Sequence, residues 1–177
     1  RKFVKIDKRQ GDFWQRLLRW ADGKETFVHL NENNFPLNGY EPKYQKLLAV
    51  GARDHCQVGN MPFENLKSFL EQNRDWAFGF FTYDLKNNIE NLSSENWDGI
   101  QMPLLHFFVP QFIFRQEADE IELGFLETEF SEDEIYALLD DIENTEEPKL
   151  ATQSLEIKSR QSREEYLDVI RKIKGHI

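Results

Sequence analysis

Residues able to do chemistry are concentrated in residues 76–90, where an apolar run turns polar. The run is aromatic and contains Gly79, and the polar part begins with Tyr83 and Asp84. Aromatic residues favour a half-buried strand, and a glycine inside such a run marks close backbone approach or a bulge. A fold commonly places a binding loop at the polar end of a buried strand, although the charged end of a hairpin has the same composition. The pattern predicts a strand followed by one of these two features.

A second polar cluster, residues 31–34, contains three asparagines and follows a predicted strand. Its side-chain amides and backbone N–H groups could hold a small ligand. Asparagine-rich segments also form turns in which the side chain bonds the backbone two residues on, and such turns need no ligand. Both interpretations stay open from the sequence.

The remaining reactive side chains form no recognisable active site. The histidines lie in separate segments, and the chain has no glycine-rich phosphate loop, nucleophile elbow or paired metal-ligand spacing. We expect packed or surface histidines, with His106 in the core because it lies in a phenylalanine-rich run. The single cysteine, Cys56, cannot form an internal disulfide and is predicted to be a small buried thiol.

Composition limits the class of protein. The 177 residues include 22 basic and 32 acidic side chains, so the net charge of −10 disfavours nucleic acid as a partner. An anionic substrate would need a local basic cluster or a metal ion. No apolar run approaches the ~18 to 20 residues of a membrane span, and low cysteine use fits a cytoplasmic location.

Hydrophobic periodicity predicts an α+β fold of mixed, mainly antiparallel β-sheets with outer helices. Predicted helices cover residues 13–21, 63–70 and 131–139, the last of which begins with a capping box. Residues 159–166 are predicted to cap a final helix whose apolar face extends to residue 173. Predicted strands cover residues 26–30, 47–51, 55–58, 76–81, 104–115, 120–126 and 155–158. Residues 55–58 are the predicted hairpin partner of 47–51, and residues 104–115 form one or two strands. Pro110 predicts a bend or a sheet edge, because proline cannot donate to a β-ladder. The acidic residues 140–148 are typical of a linker.

Four blocks of the sequence resemble the chorismate-utilising enzymes. They comprise residues 27–33 with 44–51, residues 79–90, residues 103–110 and residues 162–177. The form Tyr-Asp-Leu-Lys-Asn at residues 83–87 is closest to component I of the aminodeoxychorismate (para-aminobenzoate) synthase branch, and less similar to the anthranilate branch.

The resemblance implies a partial β-sandwich of the anthranilate synthase component I type. Residues 1–148 would be the N-terminal region, and residues 149–177 a linker strand and helix leading into a catalytic region absent from this chain. The implied reaction replaces the 4-hydroxyl group of chorismate with an amino group, using ammonia from a glutamine amidotransferase subunit, and supplies p-aminobenzoate for folate. Mg²⁺ would be bound by the absent region, so no catalytic or metal-binding residue is assigned here.

The N-terminal region of this family often carries a tryptophan pocket. Its signature is a Leu-Leu-x-Ser turn, which would fall at residues 30–33, where Glu32 or Asn33 takes the place of the serine. A carboxylate there would attract the ammonium group of tryptophan but repel its carboxylate. The resemblance implies Glu32, Asn33, Tyr44 and Lys46 as the candidate lining of this pocket.

Two other functions stay open. The chain could belong to anthranilate synthase component I or isochorismate synthase, which share the family. It could also be a free-standing regulatory domain that binds a ligand without catalysing a reaction.

Overall fold

A computed structural model describes residues 1–6, 12–33, 39, 42–58, 61–90, 92–93, 97–146 and 158–176. Contacts divide the chain into two units, Arg1–Glu146 and Glu147–Ile177. The functional division at residues 148 and 149 remains a prediction. The predicted strand 155–158 lies almost entirely outside the described residues.

The described strands of the first unit form one antiparallel six-stranded sheet in the order β1-β6-β5-β3-β2, with β4 also paired to β5. The strands are β1 (Lys2–Ile6), β2 (Phe27–Asn31), β3 (Lys46–Val58), β4 (Phe78–Phe81), β5 (Leu105–Glu117) and β6 (Glu120–Phe125). The helices are α1 (Phe13–Asp22), α2 (Pro62–Gln72), α3 (Glu132–Glu143) and, in the second unit, α4 (Arg163–Lys174). This arrangement confirms the α+β prediction. A second sheet, which a sandwich needs, is not found among the described strands.

One face of the sheet is covered by α1 and α3. Alternate strand residues such as Leu48 and Phe114 point to this face and are fully buried. They pack against Leu17 of α1 and Ile142 of α3, which are also fully buried. The period of two in the strands and about 3.6 in the helices places these apolar side chains together. We call this side the helix-covered face.

The opposite side, which we call the second face, carries the intervening residues. Ala49, Phe108 and Ile113 are buried there, with Phe3 and Trp76 packed against them. Among the described residues, no helix contributes to this cluster. Aromatic side chains therefore form most of its packing.

Strand β3 corrects the predicted hairpin at residues 47–58. The chain continues as one 13-residue strand, and its register against β5 shifts between Ala52 and Asp54. Gly51 lies just before this bulge with φ of 72°, a left-handed conformation that glycine adopts without strain. The sequence pattern of a glycine followed by charged residues indicated a turn, but here it accommodates a bulge.

Pro110 is predicted to lie at a bend or a sheet edge, but it lies in the middle of β5, an inner strand of the sheet. Among the described strands, only the part of β5 around Pro110 lacks a strand neighbour on one side. Pairing of β4 with β5 ends at Phe108, and pairing of β6 with β5 begins at Ile113. Between these two pairings no described strand lies beside β5 on that side, and the missing N–H of proline is tolerated there. The guanidinium group of Arg1 occupies this gap and donates to the carbonyls of Pro110 and Gln111 at 2.6 and 2.9 Å.

The predicted helix starts are confirmed by side-chain caps. Ser131 and Glu134 form a capping box at α3, and Ser162 and Glu165 form one at α4. Helix α3 runs to Glu143, so the predicted linker 140–148 begins too early. In the described part of the chain no helix is both long and apolar enough to cross a bilayer.

Candidate functional site

The polar segment after β2 forms a side-chain-bonded turn. The backbone N–H of Asn33 donates to Oδ1 of Asn31 at 3.0 Å, and Asn33 has φ of 54°. The N–H of Glu32 donates to the carbonyl of Gln45 at 3.0 Å, which joins the turn to the start of β3. The turn interpretation is therefore confirmed for Asn31 and Asn33, whereas Asn34 lies outside the described residues, and ligand binding by this segment stays untested.

Lys46 lies beside this turn on the helix-covered face. It pairs with Asn31 across the two strands, and its Nζ lies 5.3 Å from the centre of the Trp14 ring. Trp14 Nε1 in turn donates to His29 Nε2 at 3.4 Å. An ammonium over an indole face is held by the ring's quadrupole. The three side chains form one cluster, which we call the Trp14 cluster.

The Trp14 cluster favours the neutral form of His29. Burial lowers the pKa of its imidazole, and the nearby charge of Lys46 lowers that pKa further. Since Nε2 accepts the bond from Trp14, the proton of the neutral ring is on Nδ1.

Tyr44 points to the second face, away from Lys46. Its hydroxyl accepts a hydrogen bond from Arg115 at 3.0 Å, and its ring lies 6.3 Å from that of Trp76. The Arg115 guanidinium lies 3.7 Å from the centre of the Phe3 ring and forms a 2.6 Å ion pair with Glu122. The charge of Arg115 is thus paired with Glu122, and its guanidinium plane lies against aromatic rings.

The four predicted pocket residues therefore do not meet at one point. Glu32, Asn33 and Lys46 lie at the joined ends of β2 and β3, whereas Tyr44 lies across the sheet. Sequence reasoning missed Trp14 and Arg115 as neighbours of these residues. No local signal marks either contact, because the partners are far apart along the chain.

The family-like residues 79–90 pass from β4 into a short 3-10 helix, Tyr83–Asn88. A Cβ atom at Gly79 would collide with the carbonyl of His106 and with Phe107, which confirms the predicted close backbone approach. Thr82 ends the strand, donating to the carbonyl of Leu104 through its N–H at 2.9 Å and through its hydroxyl at 3.0 Å. Buried Leu85 then anchors the helix. Residues 79–90, which we call the motif, are therefore joined to β5 by the pairing of β4 and to Leu104, the residue before β5, by Thr82.

The polar side chains of this helix differ in whether they have an interaction partner. Lys86 Nζ lies 4.3 Å from the centre of the Tyr83 ring and 3.5 Å from the Asp84 carboxylate. Oδ1 of Asn87 is buried and receives no hydrogen bond from the described residues. A buried acceptor without a donor lowers the stability of the folded protein, because its lost hydration is not replaced by a hydrogen bond. The Asn87 amide oxygen is in this state among the described residues.

A groove of about 410 Å³ opens beside the motif. Its walls are aromatic or apolar at Phe81, Tyr83, Ile100 and Met102, and its polar groups include the Asp98 carboxylate. We call it the aromatic groove. Its volume is within the range of ligand sites, but it is open to solvent rather than enclosed.

Neither the groove nor the Trp14 cluster fits a magnesium site. Across the ranges that the structure describes, no group of three or more histidine, cysteine, aspartate or glutamate side chains is placed to hold a metal ion. Magnesium requires oxygen ligands in near-octahedral geometry. None of the described side chains is assigned to this ion.

These features define an α+β scaffold whose most distinctive segment is a strand followed by a 3-10 helix. The chain belongs to the chorismate binding enzyme family, whose sequence model matches residues 27–177. That match begins with β2 and includes residues 79–90, β5 and α4, so it covers all four resembling blocks in full. A search of the curated proteins finds no match to this chain.

Proposed function

We propose that this chain is the N-terminal portion of component I of an aminodeoxychorismate synthase. The enzyme would replace the 4-hydroxyl group of chorismate with an amino group and form 4-amino-4-deoxychorismate. Ammonia would come from a glutamine amidotransferase subunit, and the product would serve p-aminobenzoate and folate synthesis. The family match supports chorismate as the ligand.

The choice of branch rests on residues 83–87. Their Tyr-Asp-Leu-Lys-Asn form resembles the aminodeoxychorismate branch, and the structure places them in one 3-10 helix fixed to β5. Lys86 stays folded over Tyr83 in this helix, and Asn87 keeps an acceptor buried. The side chains on which the choice of branch rests therefore lie in a hydrogen-bonded helix rather than in an irregular loop.

The described residues would act as a scaffold in this proposal. Mg²⁺, expected from the resemblance, would be bound outside them, where a divalent cation would bring the dianionic substrate to an acidic protein. Glu32, Asn33 and Lys46 remain candidate contacts for an amino-acid effector at the joined ends of β2 and β3. Tyr44 could join them only if the ligand reached the second face.

The reaction product tests the proposal. A polypeptide that contains this chain and the family's catalytic region, supplied with chorismate, Mg²⁺ and ammonium, should form aminodeoxychorismate. Chromatography with mass detection separates that product from anthranilate and isochorismate. Formation of anthranilate or isochorismate would assign the chain to another branch, and the same mixture without the protein is the control.

A further inference from the structure

Large apolar side chains around the aromatic groove are unusually exposed. Tyr83 is 82% exposed, Ile100 is 80% exposed and Trp97 is 69% exposed. The Trp97 ring lies against Gly99, the residue before Ile100 of the groove. Exposed aromatic residues gathered in one patch mark surfaces that are covered by a partner, since isolated ones are common but clusters are not.

Carboxylates accompany these apolar side chains. Asp98 accepts hydrogen bonds from the N–H groups of Ile100 and Gln101 at 3.0 and 2.9 Å, and these bonds lower the pKa of its carboxyl group. Asp84 lines the same groove and is 58% exposed at its side chain. Lys86 is directed toward Tyr83 and Asp84 and offsets only part of this charge.

The sign of the charge excludes chorismate as the occupant. A dianion would meet two carboxylates, which repel it at short range. A positively charged group would meet both carboxylates together with an aromatic wall. The groove is also open to solvent, which suits a cluster of protein side chains better than an enclosed small molecule.

We propose that the aromatic groove docks a segment of a partner protein that carries apolar side chains next to lysine or arginine. The apolar side chains would cover Ile100, Met102 and Trp97, and the cation would lie between Asp84 and Asp98. This inference does not depend on which chorismate reaction the enzyme performs.

The 177-residue chain can be titrated with an amphipathic peptide built only of leucine and lysine. Trp97 is the reporter, because covering its exposed ring shifts tryptophan emission to shorter wavelength. We expect a saturable blue shift that is absent in Trp97→Phe. The same peptide with glutamate in place of every lysine should not bind.

Matched substitutions locate the binding. Met102→Ser should weaken the leucine–lysine peptide about tenfold, the effect of losing an apolar anchor. Leu30→Ser, on β2, removes a side chain that is 51% exposed against 49% for Met102, and should change affinity less than about twofold. Asp98→Asn keeps a side-chain oxygen that can accept from the N–H groups of Ile100 and Gln101 but loses the charge, and it should weaken binding about two- to fivefold. Asp133→Asn on α3 should leave binding unchanged.

Three results would overturn the proposal. Equal weakening by Met102→Ser and Leu30→Ser would show that the peptide binds the acidic surface without selecting the groove. Concentration-dependent dimerisation that Met102→Ser abolishes, measured by sedimentation equilibrium, would make a second copy the occupant. Protection of Trp97 from acrylamide quenching in a longer form of the enzyme, with no peptide-induced shift, would show that the same polypeptide closes the groove.

Discussion

A charged residue in a protein interior must be matched by an opposite charge and by hydrogen bonds. Arg1 meets both conditions: its side chain is 4% exposed and forms a 2.7 Å ion pair with Asp75, which is 14% exposed. Burial alone would raise the pKa of Asp75, but the hydrogen bonds from Arg1 and from the Trp76 N–H, with the charge of Arg1, lower it overall. The pair also contacts three strand carbonyls, so it joins β5 and β6.

Asp75→Ala should therefore destabilise the protein strongly. The substitution leaves a buried guanidinium without its counter-charge, which costs about 3 kcal/mol or more of unfolding free energy. Urea denaturation measures the loss. Asp84→Ala, which breaks the more exposed pair with Lys86, is the control and should cost less than about 1 kcal/mol. Similar losses for the two variants would mean that the Arg1 pair is not buried as described.

His29 makes stability depend on pH near neutrality. Its pKa is lowered in the folded protein, so the unfolded chain binds more protons as the pH falls. The stabilising effect is complete above the unfolded pKa of about 6.5 and is lost as pH falls through the lower folded value. The urea midpoint should therefore decrease between about pH 7.5 and pH 5.5.

His29→Asn should reduce this pH dependence, because the titrating ring in the Trp14 cluster is gone. His55→Asn removes an exposed histidine of β3 and is the matched control, which should keep the wild-type dependence. An unchanged pH profile in His29→Asn would contradict the assignment of the effect to this ring.

Side-chain neighbours were the hardest feature to predict from the sequence. Lys46 was expected to contact a ligand, but its ammonium lies over Trp14, a residue more than thirty positions earlier. Tyr44 was expected in the same pocket, but it lies before the start of β3, and its hydroxyl contacts Arg115 of β5 on the second face. Such contacts depend on tertiary pairing, which local pattern does not encode.

Secondary structure elements were predicted better, because their signals are local. The capping box at Ser131 and the apolar period of α1 gave the first and third helices nearly correct bounds, and the N-cap of α4, Ser162, lies within the predicted capping segment 159–166. Strand β1 was missed, since five residues at the start of the chain carry little pattern. The sequence predicts a turn where β3 has a bulge, because a glycine followed by polar residues occurs in both structures.

Gly79 is the element-scale position with the clearest test. A methyl group there would collide with the backbone of β5, so Gly79→Ala should force β4 away from its partner. We expect a loss of about 1–3 kcal/mol in unfolding free energy, the usual cost of overpacking. Thermal and urea unfolding both report it.

Gly23→Ala is the matched control for that substitution. Gly23 ends α1 with φ of −77°, and an added Cβ would lie 3.6 Å from the Trp20 carbonyl, an ordinary contact. Its unfolding free energy should change by less than about 0.5 kcal/mol. If Gly79→Ala were equally mild, β4 would not lie as close to β5 as the structure shows.

At the scale of the whole molecule, the sequence predicted the fold class and the family, and both are confirmed. The predictions succeeded because they rest on periodicity and on a contiguous motif at residues 79–90. The unequal coverage of the sheet could not be predicted: α1 and α3 cover one face, while aromatic side chains pack on the other. Which helix covers which face depends on connections that composition does not specify.

The gap beside Pro110 has a consequence for the behaviour of the protein in a crowded solution. Unpaired carbonyls along a strand are a template on which a foreign extended peptide can add, and so a starting point for aggregation. Arg1 uses two of those acceptors and brings a positive charge that a stray strand would have to displace. The first residue of this chain thus protects an interruption in the middle of the sheet, as charged residues protect the outer edges of other β-proteins.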